Sequence, residues 1–70
     1  SEPVLADVKP GGPGDRAGLQ AGDRVLRIDG RPVADAGAVR VRIRAAVVDG
    51  QARAMQWELD RAGRSIALEV

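Results

Sequence analysis

The chain has no cysteine and no histidine. The first absence removes disulfide support and thiol chemistry, and it leaves the redox compartment open. The second removes the commonest general base and the commonest zinc ligand. A Ser-His-Asp relay and a His-Glu-x-x-His metal helix are therefore excluded, and the two serines, Ser1 and Ser65, have no base beside them. Trp57 is the one aromatic residue, so no stacking platform for nucleic-acid bases exists. No apolar run nears the roughly 20 residues that span a bilayer. Carboxylates fall singly at turns and caps, without the dense acidic spacing of a calcium loop. Gly11-Gly12-Pro13-Gly14 lacks the Lys-Ser/Thr ending of a phosphate loop. The net charge of +1 argues against a dedicated nucleic-acid binder.

Seventy residues make one domain, 1–70, of a size that buries only about 60% of its unfolded surface. Pro3 to Lys9 reads as a strand, with Val4, Ala6 and Val8 on one face and Leu5 and Asp7 on the other. Pro10 to Gly14 reads as a loop. Asp15-Arg16-Ala17 reads as one helical turn capped by Asp15 and stopped by Gly18, with Leu19 as an apolar anchor. Gly22-Asp23 is a turn in which the carboxylate accepts bonds from nearby backbone N–H groups. Arg24 to Ile28 alternates as a strand, Leu26 and Ile28 facing one way and Val25 and Arg27 the other. Asp29-Gly30 is a tight-turn dipeptide.

Ala34 to Val48 carries two periods at once. Val39 to Arg44 alternates like a strand, yet Val39, Ile43, Ala46 and Val47 make a helical stripe. Length and alanine content predict a helix over Ala36 to Val48, capped by Asp35 and ended by Asp49-Gly50. Ala54 to Arg61 reads as a strand with Met55, Trp57 and Leu59 on its core face, where the Trp57 N–H needs an acceptor. Ala62-Gly63 turns the chain into a last strand, Ser65 to Val70. Arg40, Arg42 and Arg44 read as a solvated helix face or as a basic binding surface. The apolar Val41 lies among them, as a ligand contact or a lone exposed side chain.

Ala17-Gly18-Leu19-x-x-Gly22-Asp23-x-Val25-Leu26-x-Ile28-Asp29-Gly30 resembles the signature of a bacterial PDZ domain. Gly18, Gly22, Asp23, Asp29 and Gly30 are its turn residues. The flanks agree, in Pro3-Val4-Leu5 before the loop and in Glu58-Leu59-Asp60-Arg61-Ala62-Gly63, which resembles an x-R-x-G hairpin turn. The likeness is greatest to RseP-type site-2 intramembrane zinc metalloproteases, with HtrA-type serine proteases next.

The resemblance implies an α+β fold of circularly permuted type, a small partly open β-barrel or sheet with two helices. It implies a non-catalytic, peptide-binding or regulatory domain excised from a larger envelope protease. The domain would gate or sense substrate in regulated intramembrane proteolysis at the periplasmic face of the bacterial inner membrane. The alternatives are a sensor of an HtrA-type protease and a structural domain that occludes its neighbour. The segment itself takes no cofactor, and the zinc of a site-2 parent would lie elsewhere. The partners implied are a C-terminal or extended hydrophobic peptide and neighbouring protease domains, with no nucleic acid and no membrane span. In this family the peptide adds as a strand beside the long helix. The matching helix positions here are Gly37, Ala38, Val41 and Ala45, a wall suited to a small or medium apolar side chain. Bacterial members carry a short Leu-Gly strand and carboxylate-binding loop upstream of the Pro-Val-Leu strand. That segment precedes Ser1 and is expected from outside this chain.

Overall fold

Three two-residue turns set the course of the chain. Asp29-Gly30, Asp49-Gly50 and Ala62-Gly63 each take positive φ at both positions, 51°/77°, 52°/77° and 50°/84°. Two successive left-handed residues match the twist of antiparallel strands, and each turn closes a hairpin. The computed structural model describes residues 1–70. In chain order it contains α1 (Pro13–Ala17), β1 (Arg24–Ile28), β2 (Arg31–Pro32), α2 (Ala36–Ala45), β3 (Val47–Val48), β4 (Gln51–Ala52), β5 (Gln56–Arg61) and β6 (Arg64–Glu69). Strands β2-β1-β5-β6 form one antiparallel sheet, and β3-β4 form a separate small hairpin. The α+β fold with two helices is therefore as expected, and its sheets are open rather than closed into a barrel.

Several local expectations give way to tertiary constraints. The helix ends at Ala45 rather than Val48, because Val47-Val48 are β-branched and pair with Gln51-Ala52 across Asp49-Gly50. Asp49-Gly50 is thus a hairpin tip and not a helix stop. Helix α1 starts two residues early, at Pro13, whose missing N–H and fixed φ suit the first helical position. Asp15 is inside that helix, and its Oδ2 accepts from Gly11 N at 2.9 Å. The Pro3–Lys9 strand shrinks to one bridge, Val4 to Arg24. Pro3 is buried and Leu5 and Val8 pack on the core, while Val4 and Ala6 face outward, so Val8 parts from Val4 and Ala6 and the expected alternation does not run through to Lys9.

Strand β1 also departs from simple alternation. Val25 pairs with Leu59 and Arg27 with Glu58, two steps on β1 against one on β5. The bulge at Leu26 turns Val25 and Ile28 to the same side, and both are buried. They join Leu19, Val33, Val39, Ala46, Met55, Trp57 and Leu59 in the core between the sheet and α2. Met55, Trp57 and Leu59 share the buried face of the β5 segment as expected. The Trp57 Nε1 has no acceptor, a buried omission that costs about 1–3 kcal/mol.

One polar group is buried with the core. Asp23 is 1% exposed. Arg61 grips it at both oxygens, Nε to Oδ1 at 2.8 Å and an NH2 nitrogen to Oδ2 at 2.9 Å, and donates to the Gly18 carbonyl at 2.8 Å. The Gln20 N–H donates to Oδ2 at 2.9 Å. The Asp23 backbone carbonyl accepts from Leu5 N at 2.9 Å, so three stretches of chain converge on this turn.

Hydrogen bonding from Arg61, foremost, and from the Gln20 backbone holds the Asp23 carboxyl below its ordinary pKa against the opposing effect of burial. A lowered folded pKa stabilises the fold above the unfolded carboxylate range and loses that contribution as pH falls from about 4 through the folded value. Acid unfolding followed by circular dichroism is expected to show this loss, and Asp23→Asn to flatten it. At neutral pH, Asp23→Asn is expected to cost about 1–3 kcal/mol in urea denaturation. Arg61→Leu is expected to cost more, because it leaves a carboxylate buried without a partner. Ala62 is a non-glycine residue in the left-handed region, so Ala62→Asn is expected to raise stability by up to about 1 kcal/mol in the same assay.

Candidate functional site: a trough along the second helix

Helix α2 is fixed at its start by Asp35, whose Oδ1 accepts from Ala38 N at 2.8 Å as the sequence predicts. Its apolar stripe is wider than the sheet beneath it. Val39 and Ala46 are buried, but Ile43 is 42% exposed and Val47 is exposed beyond it. The side of the stripe that the sheet does not cover opens onto two cavities that meet at Ile43.

The larger cavity, about 530 Å³, separates the Ser1–Asp7 segment from Ala36, Val39, Arg40 and Ile43 of α2. Its two walls differ in chemistry. On the α2 side the contacts are apolar apart from Arg40. The opposite wall is an extended backbone whose inner edge is already occupied. Leu5 N donates to Asp23 O at 2.9 Å and Leu5 O accepts from Gly22 N at 2.7 Å. The carbonyls of Val4 and Ala6 and the N–H of Ala6 have no partner in the protein. Alternation along an extended chain directs residues 4 and 6 away from residue 5, so this is an open strand edge. Glu2 on the same wall is drawn off by Arg24, with N–O distances of 3.0 Å, and this hydrogen bond holds its carboxyl below the ordinary value. Asp7 and Arg40 are the remaining charges of the groove.

The second cavity, about 280 Å³, continues past Ile43 along the C-terminal end of α2. Trp57, Leu19 and Met55 line it from the sheet side, and Pro13, Ala46 and Val47 from the helices and hairpin. A third depression, about 260 Å³, lies around the helix, between Val41 and Ala45 and the β1–β2 turn.

The four helix positions singled out from the sequence do not come together in one site. Val41 and Ala45 line the third depression with Ile28, Asp29 and Arg31. Gly37 is exposed, Ala38 packs against the core, and neither lines a cavity. Helical geometry keeps them out of the groove: positions 37, 41 and 45 share one face, whereas 36, 39, 40 and 43 turn toward Ser1–Asp7. The signal for the latter set was present in the apolar stripe, whose member Ile43 finds no sheet residue to cover it. The turn residues do occupy turns, with Gly18 at φ 104° and Gly22 at φ 91°, and Asp29 Oδ1 accepts from Gln56 N at 2.9 Å. The Arg40, Arg42, Arg44 set is split. Arg40 lines the groove, Arg42 donates to the Ile28 carbonyl, and Arg44 is exposed. Nowhere do three acidic side chains converge in a way that could hold a metal ion.

Comparison with known proteins agrees with this architecture. The family model described as PDZ domain matches residues 4–53. The regulator of sigma-E protease RseP of Escherichia coli (strain K12) is 34% identical over 67 residues, covering 96% of this chain and 14% of that protein. The protein of the same name from Salmonella typhimurium (strain 14028s / SGSC 2262) is 33% identical over the same shares. Protease RseP of Yersinia pestis is 53% identical over 30 residues, 43% of this chain and 7% of that protein. The chain thus spans about one seventh of the length of the first two relatives. It belongs to the PDZ domain family.

Proposed function

We infer that this chain is a non-catalytic, peptide-binding regulatory domain that senses or gates substrates for a larger membrane protease of the site-2 type. The observation that carries the reading is the groove between Ser1–Asp7 and α2. One wall presents unpaired backbone groups at Val4 and Ala6, and the other presents Val39 and Ile43. An extended peptide laid between them adds a strand to the open edge and rests its apolar side chains on the helix. Backbone bonds would supply affinity, and α2 would supply selectivity.

Likeness to the RseP proteins along 96% of the chain supports placing the domain in such a protease. Within that reading, the domain faces the periplasm beside the inner membrane. No helix of this segment is long and apolar enough to cross a membrane. The zinc chemistry of such an enzyme would lie outside this segment. With Arg42 tied to Ile28 and Arg40 turned into the groove, the three arginines do not favour a basic surface binder.

Titration of the chain with a short hydrophobic peptide, followed by amide NMR, is expected to shift Ala6, Val39 and Ile43 progressively. Absence of any shift at millimolar peptide would sink the binding role and favour a domain that only occludes its neighbour.

A further inference from the structure

The ion pairs of the domain engage Arg24, Arg27 and Arg61. Among the arginines they leave, Arg31, Arg42 and Arg53 line a single cavity, the third depression of about 260 Å³. Only the fold gathers them: Arg31 follows the Asp29-Gly30 turn, Arg42 lies on α2, and Arg53 follows the β3–β4 hairpin. The guanidiniums of Arg31 and Arg53 donate to no group of the protein. Arg42 is held in place by its bond to the Ile28 carbonyl, which uses one of its nitrogens. The backbone N–H of Arg53 donates to the Ala46 carbonyl at 2.7 Å, which fixes where that side chain leaves the chain. Asp29 is the one acid in the lining, and its Oδ1 accepts from Gln56 N at 2.9 Å. Three guanidiniums against one carboxylate leave the lining a net charge of +2. The rest of the wall is apolar, with Ile28, Ala46 and Met55 buried and Val41 and Ala45 exposed on the helix side.

We propose that this depression binds a phosphate monoester. Like charges gathered around one concave, partly apolar wall concentrate anions there. Guanidinium forks match phosphate oxygens in geometry as well as in charge. A monoester carries a charge of about −1.5 to −2 at neutral pH and three terminal acceptor oxygens. It therefore balances the surplus and offers one oxygen to each arginine. A single carboxylate has one charge and two oxygens, and it leaves part of the surplus unmet. Val41 and Ala45 give the ester carbons an apolar seat. Positions 41 and 45 lie on a different face of α2 from 39 and 43, so the site is separate from the peptide groove and does not rest on that reading. The same chemical group is carried by soluble phosphate esters and by the phosphatidic acid headgroup.

The soluble probe is α-glycerophosphate, followed by amide NMR at millimolar concentration. It is expected to shift Arg31, Val41, Ala45 and Arg53 and to leave Ala6 unmoved. Arg31→Gln combined with Arg53→Gln is expected to weaken binding about ten-fold. Arg44→Gln combined with Arg64→Gln removes the same charge from exposed positions outside the depression and is expected to leave binding unchanged. Co-sedimentation with phosphatidylcholine vesicles containing phosphatidic acid then separates the two sources. Vesicle binding that the Arg31, Arg53 double variant loses assigns the lipid headgroup, and a response to α-glycerophosphate alone assigns a soluble ester. The site is overturned if neither probe binds, or if the double variant responds as strongly as the parent chain. Equal shifts from glutarate, a dicarboxylate of similar charge, would overturn the phosphate assignment and mark a general anion patch.

Discussion

Asp23 and Arg61 are 38 residues apart in sequence and joined by two hydrogen bonds in the fold. The strand-edge wall of the trough depends on that pair. The Asp23 turn holds Leu5 through its backbone carbonyl, so it sets where the Ser1–Asp7 wall runs. Arg61 closes the end of β5 and also reaches the Gly18 carbonyl, so it ties the sheet to the end of α1. A buried carboxylate is a weak source of net stability, because desolvation offsets much of the attraction. Its value here is geometric. In a domain of 70 residues with no disulfide, one fully satisfied polar junction selects a single arrangement of three chain segments.

The trough exists because α2 is more apolar than the sheet can cover. Four sheet strands and the bulge at Leu26 concentrate Val25, Ile28, Trp57 and Leu59 under Val39 and Ala46. Ile43 and Val47 stay 42% and 50% exposed, and they line the second cavity together with Trp57 and Met55. On the other side, the first residues pair inward through Leu5 and leave Val4 and Ala6 facing out. An uncovered apolar helix flank and an unpaired strand edge thus face each other across the space that a strand would fill. Both features would be liabilities in a closed domain, and under the proposed function they are the two surfaces that an extended peptide would cover.

The hairpins illustrate how local chemistry and packing share the work. Asp-Gly is suited to two successive left-handed residues, and it forms the same turn at Asp29 and at Asp49. The first was legible because alternating residues precede it. The second was masked by an alanine-rich stretch whose stripe favoured continuing the helix, and there the β-branched Val47-Val48 pair decided the outcome.

Much of this domain was written in short-range pattern. Turn dipeptides, the Asp35 cap, the core face of Met55, Trp57 and Leu59, and the run from Ala17 to Gly30 all act within a few residues, and each was readable from the chain. Tertiary structure alone decided which side of α2 is the wall. Helical periodicity fixes the relative angles of Val39, Val41 and Ile43, but only the reach of the sheet and the path of Ser1–Asp7 determine which angle is left uncovered. The broken alternation of residues 3–8, the bulge that brings Val25 beside Ile28, and the partnership of Asp23 with Arg61 have the same origin. Each depends on a contact between segments far apart in sequence, and the residue patterns within either segment carry no record of the other.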